Sequence, residues 1–203
     1  MIEHEKKLLL SKEEYEVLLK HFGAICPTAT QVNHYYDTND WSMNKEGVTC
    51  RVRYRNGQFK ATMKVHSKHP YGSSMEMDMS TGEGLHKNDF TNMGLSYQGA
   101  LITRRTLLLK NDHCEMMVDM NQYLGHTDYE LEIEYKKDHE YGAIALLLEV
   151  DNILREKCKS DTLEPIDERI KNPKTKSQRF FERKESLCFP QFTEYMNCEN
   201  PPY

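Results

Sequence analysis

The N-terminal segment IEHEKKLLL, residues 2–10, alternates its charged and apolar side chains with a period close to two. Successive side chains of a β-strand point to opposite faces, so Glu3, Glu5 and Lys7 share one face of the predicted strand. One such row is typical of a solvated outer strand. The pattern constrains the fold because it recurs: at least six predicted strands have one charged face and one apolar face.

The same periodicity predicts eight strands in all, at residues 2–10, 30–37, 48–55, 58–66, 73–79, 100–109, 114–121 and 128–135. Most are joined by short turns, and Asn56-Gly57 is a typical hairpin turn. Many short strands joined in this way favour one antiparallel sheet. Met75, Met77 and Met79 alternate with acids along their strand, and we expect them in the core.

Helical spacing predicts helices at 11–23, 143–158 and 174–185, and Ser11 with Glu14 forms a capping-box pattern at the first. The fold class that follows is α+β: an eight-stranded antiparallel β tunnel, a closed barrel, with flanking helices. Because no linker divides the chain, we expect a single tunnel domain over residues 1–185 and a C-terminal tail over 186–203.

Helices that cover the apolar outer faces would leave the charged faces lining a hydrated interior. Burying like charges is costly, so such a lumen needs both signs close together. The acids on these faces are Glu3, Glu5, Glu76, Asp78, Asp119, Glu130, Glu132 and Glu134. The bases are Lys7, Arg51, Arg53, Lys60, Lys64 and one of the pair Arg104 and Arg105.

Composition excludes several classes of function. A net charge of -5 argues against general nucleic-acid binding, which needs a basic face. No apolar run approaches the length of a membrane span, and the N-terminus lacks a signal-peptide pattern. The six cysteines include no CxxC pair, so neither a zinc site nor a disulfide framework is indicated. We expect a reduced, cytoplasmic protein.

The mixture of charges indicates the kind of site. A simple anion site needs only bases, whereas added carboxylates are explained if a divalent cation lies between them and the anion. Magnesium prefers carboxylate, water and phosphate oxygens, and arginine and lysine bind phosphate. The sequence thus favours a metal-assisted site for a polyphosphate chain. No GxSxG, HExxH or Walker motif indicates another mechanism.

Five motifs in order resemble a known family. They are Glu3-x-Glu5-x-Lys7, the YYDT segment at 35–38, Arg51-x-Arg53 followed by Lys64, the segment Thr103-Arg104-Arg105, and Glu130-x-Glu132. Over residues 2–179 the chain resembles the CYTH domains, the triphosphate tunnel metalloenzymes, and in particular the small stand-alone bacterial members. The resemblance implies an antiparallel tunnel that binds triphosphate compounds with Mg²⁺ or Mn²⁺.

The resemblance also implies roles for individual residues. Metal would be held by Glu3, Glu5, Glu130 and Glu132. Phosphate would be bound by Lys7, Arg51, Arg53, Lys64, Arg105 and, from the last helix, Lys176. The groups expected to act in catalysis are Glu5, Lys7, Arg53 and Glu132. A second metal or a water would be positioned by Glu76, Asp78 and Asp119, whereas Asn121 stands where many members have another acid. Arg105 is preferred to Arg104 because the family's essential arginine likewise follows a Thr-Arg pair.

The function expected from the resemblance is divalent-metal-dependent hydrolysis of inorganic, nucleoside or thiamine triphosphate. Two alternatives remain open at the level of sequence: a class IV-type adenylyl cyclase, and a non-catalytic module that binds polyphosphate or a nucleotide. The expected partner is a small triphosphate-containing molecule, with no nucleic acid and no membrane. The expected state is a monomer or a homodimer.

Overall fold

The computed structural model describes residues 2–23, 28–66, 74–82, 90–158, 164–171 and 173–188. The strands are β1 (Ile2–Leu10), β2 (Ala29–Asp37), β3 (Val48–Arg55), β4 (Gln58–Val65), β5 (Ser74–Gly82), β6 (Ser96–Lys110), β7 (Cys114–Tyr123) and β8 (His126–Tyr135). The helices with defined bounds are α1 (Lys12–Phe22), α2 (Ser42–Lys45), α3 (Glu140–Cys158), α4 (Ile166–Arg169) and α5 (Lys176–Cys188). The eight predicted strands are confirmed, and the predicted helices correspond to α1, α3 and α5.

The strands form one antiparallel sheet in the order β1-β5-β4-β3-β2-β6-β7-β8, and β8 pairs with β1. The two ladders of β1 differ in length. Its pairing with β8 runs from His4 to Leu10, whereas its pairing with β5 consists of two residue pairs, at Ile2 and Glu3. Strand pairing therefore runs round the whole ring, but β1 and β5 pair only at the N-terminal end of β1.

The prediction of a curled eight-stranded antiparallel sheet with helices is confirmed, and the prediction of a fully closed barrel is wrong. Among the described residues, β1 and β5 pair only at Ile2 and Glu3. Near the other end of β1, a guanidinium contacts the main chain. Arg169 of α4 donates to the carbonyl oxygen of Leu9 at 2.9 Å and forms an ion pair with Glu14.

Helices α1 and α3 cover one side of the sheet. The largest apolar cluster packs their buried side chains against the outer faces of β1, β6, β7 and β8, with Leu18, Val118 and Leu154 fully buried. The predicted capping box of α1 is confirmed, because the Glu14 amide donates to Ser11 Oγ and the Ser11 amide donates to Glu14 Oε2. This cover lets the charged faces of these strands point into the tunnel.

The outer face of β5 is different, and the prediction that its methionines are core residues is wrong. Met75 is 53% exposed, and Met77 and Met79 are each 43% exposed. The sequence pattern correctly placed them opposite Glu76, on the outer face. They remain in solvent because α1 and α3 pack on the outer faces of other strands, namely β1, β6, β7 and β8.

Helix α5 lies across one end of the tunnel. Its Phe180 is fully buried against the lumen-facing Tyr35 of β2, with ring centroids 4.9 Å apart. Gly99 of β6 permits this approach, because a Cβ atom there would lie 2.8 Å from the Phe180 ring. The N-terminus of α5 therefore faces the tunnel interior. The helix continues to Cys188, and residues 189–203 of the predicted tail lie outside the described residues.

Candidate active site

A cavity with a free volume of about 70 Å³ lies between the sheet and the N-terminus of α5. Eight of the predicted site residues line it: Glu5, Lys7, Arg51, Arg53, Lys64, Arg105, Glu132 and Lys176. They come from five strands and one helix, which the fold alone brings together. The predicted charged lumen is thus present, with acids and bases close to one another.

Three carboxylates from β7 and β8 form what we call the carboxylate cluster: Asp119, Glu130 and Glu132. Each is buried, and one ligand oxygen from each lies within 4.8 Å of the others. The ammonium of Lys176 lies among them, 2.9 Å from Asp119 Oδ2 and 3.0 Å from Glu132 Oε1, and also contacts Glu130. Burial, only partly opposed by Asp119, lowers the pKa of Lys176 well below its usual value.

Further cations surround the carboxylate cluster. Arg105 donates to both oxygens of Asp119, at 2.9 and 2.7 Å, and also contacts Glu132. Burial opposes the charged form of Arg105, but Glu132 and Asp119 raise its pKa well above the usual value. Likewise burial would raise the pKa of Glu132, but Lys7 and Arg105 hold it far below the usual value. Arg105 and Glu132 are therefore both charged, and each neutralises the other.

Glu5 lies beside the carboxylate cluster rather than within it. Its Oε1 is 3.3 Å from Lys7 Nζ and 3.6 Å from Lys64 Nζ, and Lys7 also lies 3.2 Å from Glu132. Burial raises the pKa of Glu5, yet Lys7 and Lys64 together bring it below the ordinary value. Lys7 thus bridges the first strand and the last strand, as the antiparallel pairing of β1 and β8 requires.

The opposite side of the cavity, formed by the hairpin β3–β4, is mainly basic. We call Arg51, Arg53 and Lys64 the arginine wall. Arg51 donates from Nε to Thr62 at 3.2 Å and from Nη2 to Glu76 at 2.8 Å. Arg53 donates from Nε to Asn33 Oδ1 at 3.0 Å.

Arg53 differs from the other lumen arginines in its hydrogen-bond partners. Within the described part of the chain, it forms no ion pair with a carboxylate. Burial and the neighbouring Arg51 lower the pKa of Arg53 to about 10, so its charge is retained at neutral pH at an energetic cost. A partly buried guanidinium of this kind gains most from an anion that enters the cavity.

Three predicted residues lie elsewhere or cannot be placed. Asp78 is 58% exposed and pairs with Lys60 at 2.7 Å, away from the carboxylate cluster. Glu76 faces Arg51 instead of the other acids. The side chain of Glu3 lies outside the described residues. Arg104 is exposed, whereas Arg105 lines the cavity, in agreement with the choice between them.

A second layer of polar side chains lies behind the carboxylate cluster and was not predicted from the sequence. Arg179 of α5 donates to Glu130 Oε2 at 2.5 Å and to Asp128 Oδ2 at 2.8 Å. Asn121 donates to Asp128 at 2.9 Å and accepts from Thr103 at 2.8 Å, so its amide is held by hydrogen bonds away from the cations. The parity of β8 and the helical spacing from Lys176 to Arg179 are the signals that would have indicated this layer.

A chain of hydrogen bonds between the hairpin β3–β4 and α5 was not predicted from the sequence either. Thr49 Oγ1 lies 3.1 Å from His66 Nε2 and 2.7 Å from Ser177 Oγ, which lies 3.0 Å from Thr175 Oγ1. Burial and the nearby Lys64 lower the pKa of His66 to about 4, so the imidazole is neutral at neutral pH. No sequence motif marks these residues.

Comparison with known proteins agrees with this geometry. A model of the CYTH domain matches residues 1–164. YjbK of Bacillus subtilis (strain 168), which carries the provisional name of a triphosphatase, is 27% identical over 187 residues, covering 84% of this chain and 97% of that protein. The chain belongs to the CYTH domain family, as the motifs indicated.

Solved structures share the fold. A Bacillus halodurans protein with the provisional name of an adenylate cyclase is 24% identical, with a TM-score of 0.61 over 89% of this chain and 97% of that chain. HpAC1 from Hippeastrum is 17% identical, with a TM-score of 0.62 over 90% of this chain and 96% of that one. It is described as a provisional adenylyl cyclase with a dominant triphosphatase activity. None of the described helices of our chain is long and apolar enough to cross a membrane.

Proposed function

We propose that this protein is a divalent-metal-dependent hydrolase of triphosphate compounds, which it binds in the cavity between the sheet and α5. The observation that carries the proposal is Arg53, a partly buried guanidinium in the cavity without a carboxylate partner in the described part of the chain. Across the cavity from it lie carboxylates whose charges are already neutralised. The triphosphatase names of YjbK and HpAC1 support the same reaction.

The residues fit a divalent cation such as Mg²⁺ or Mn²⁺. Asp119, Glu130 and Glu132 offer only oxygen ligands, which suit these hard cations. In this structure the amino group of Lys176 lies among them, 2.9 Å from Asp119 Oδ2. In the proposal these three carboxylates hold the metal, together with Glu5. A bound metal would neutralise phosphate oxygens as charge develops on them.

The other charged groups have separate tasks in this proposal. Arg51, Arg53 and Lys64 bind the non-bridging phosphate oxygens, as guanidinium and ammonium groups do elsewhere. Lys7, Arg105 and Lys176 contact both the carboxylates and the cavity, so they orient the phosphate chain relative to the acids. Hydrolysis of a phosphoanhydride needs mainly positioning and charge neutralisation, and the cavity supplies both without a dedicated nucleophile.

A panel of triphosphates assayed with Mg²⁺, Mn²⁺ and a chelator tests the proposal. The panel contains inorganic triphosphate, ATP, GTP and thiamine triphosphate, and phosphate, pyrophosphate and cyclic AMP are all measured. We expect metal-stimulated release of phosphate or pyrophosphate from at least one substrate and its loss with chelator. Cyclic AMP with pyrophosphate from ATP would instead indicate a cyclase. Binding without any turnover would indicate a non-catalytic module.

A further inference from the structure

The three lumen arginines share one structural device. Each donates its Nε–H to a side chain of the adjacent strand, which fixes the plane of the guanidinium. The pairs are Arg51 with Thr62 at 3.2 Å, Arg53 with Asn33 at 3.0 Å and Arg105 with Asp119 at 2.9 Å. What differs between the pairs is the charge of the acceptor and the partners of the terminal nitrogens.

The terminal nitrogens of two arginines are already bound. Arg51 Nη2 donates to Glu76 at 2.8 Å, and Arg105 Nη2 donates to Asp119 at 2.7 Å. The terminal nitrogens of Arg53 meet no carboxylate among the residues that the structure describes. Arg53 therefore combines a fixed orientation with a charge that forms no ion pair among the described residues.

Asn33 is the reason that both properties occur together. It lies directly opposite Arg53 in the β2–β3 ladder, and its side chain is buried, with 1% exposure. An amide oxygen accepts the Nε–H without adding a negative charge. An aspartate has almost the same shape and would accept the same hydrogen bond, but it would neutralise the guanidinium.

We propose that Asn33 is a positioning residue that aims Arg53 into the cavity while leaving its charge available for the phosphate chain of the substrate. The inference rests on the proposed function for the identity of the ligand, because a triphosphate is the anion that the cavity is assigned. It assigns a role in anion affinity to a neutral residue that neither charge patterning nor the family motifs indicate. The neutral amide at position 33 therefore lowers folding stability but increases the affinity for the phosphate chain.

The proposal predicts that removing the amide changes stability and substrate affinity in opposite directions. Asn33→Asp should raise the midpoint of thermal unfolding without ligand, because it supplies the missing counter-ion to a buried charge. The same variant should raise KM for the preferred triphosphate about tenfold or more, since Arg53 would be engaged already. Its kcat should change much less than KM. A purely structural role for Asn33 would make stability and affinity move together.

The control is Asn152→Asp, which makes the same chemical change at an exposed position of α3. Inorganic triphosphate binding, measured by calorimetry in metal-free buffer, is compared for the wild type and both variants. We expect about tenfold weaker binding in Asn33→Asp and wild-type binding in Asn152→Asp. Equal binding in the two variants would overturn the inference, as would a lowered unfolding midpoint in Asn33→Asp.

Two further measurements separate the possible failures. Asn33→Ser keeps a neutral acceptor, so it should retain more affinity than Asn33→Asp even if it is less stable; the reverse ranking would overturn the inference. If the wild type binds inorganic triphosphate without hydrolysing any triphosphate, the proposed function fails while the binding comparison still tests Asn33. If the wild type does not bind inorganic triphosphate at all, both proposals fail.

Discussion

The carboxylate cluster and the arginine wall face each other across one cavity but balance their charges in different ways. In the carboxylate cluster, every acid contacts at least one cation, and Glu132 contacts three: Lys7, Arg105 and Lys176. In the arginine wall, Arg53 has only a neutral amide partner among the described residues. We infer that the paired charges contribute to the stability of the tunnel, whereas the charge of Arg53 is available to bind an anion.

The largest effect is expected at the carboxylate cluster. Glu132→Gln should lower turnover about 100-fold or more, because it removes a charge from the proposed metal site. It should also raise the metal concentration needed for half-maximal activity. Steady-state rates measured against metal concentration check both. Glu149→Gln is the control, because it makes the same chemical change at an exposed position of α3. Equal losses in the two variants would contradict the assignment.

A smaller effect, of a different kind, is expected at the arginine wall. Arg53→Ala should raise KM about tenfold or more with a lesser change in kcat, because it removes a charge-assisted contact to phosphate. Initial rates at saturating metal separate the two parameters. Arg55→Ala, an exposed change two residues along the same strand, should leave both parameters close to those of the wild type. A fall in kcat without a change in KM would show that Arg53 does not act through substrate binding.

Stability should distinguish the two regions with opposite outcomes. Arg105→Met removes a partner of the fully buried Asp119 and should cost about 3 kcal/mol in the free energy of unfolding. Arg53→Met removes a charge that has no carboxylate partner in the described residues, so stability should be unchanged or higher. Urea denaturation of both variants gives the comparison. Similar destabilisation by both would mean that Arg53 is compensated in solution.

The smallest effect concerns His66, whose pKa is lowered to about 4 by burial and by Lys64. Between that value and the ordinary histidine pKa of 6.5, the unfolded state binds more protons than the folded state. Stability should therefore rise with pH across this window and be lost as the pH falls. Thermal melts from pH 4 to 7 should show a shallower slope for His66→Asn than for the wild type. His126→Asn, at an exposed position, should keep the wild-type slope.

Sequence periodicity predicted the sheet well, because alternation reports the two faces of a strand directly. It identified the acids and bases of the lumen on β1, β3, β4, β7 and β8. It failed for Met75, because alternation shows that a side chain faces outward but not whether a helix covers it. It also failed for the pairing of β1 with β5, which consists of two residue pairs among the described residues. The length of such a ladder depends on residues far apart in sequence and follows no periodic pattern.

The site could be predicted in part. Motifs selected the charged residues that line the cavity, but they could not assign partners. Asp119 rather than Glu5 lies within the carboxylate cluster, since register places Asp119 opposite Glu130 in the β7–β8 ladder. The roles of Asn33 and His66 were not predicted, because a single polar residue in or beside a strand forms no recognisable sequence pattern. Their importance appears only when their neighbours are known.

In the proposed function, the carboxylate cluster binds the metal and the arginine wall binds the triphosphate. The measurement that tests it most directly is a pair of calorimetric titrations, metal alone and inorganic triphosphate alone, on the wild type, Glu132→Gln and Arg53→Ala. We expect Glu132→Gln to weaken metal binding far more than Arg53→Ala does, and Arg53→Ala to weaken triphosphate binding. The assignment of the two sides is wrong if Arg53→Ala weakens metal binding as much as Glu132→Gln does while leaving triphosphate affinity unchanged.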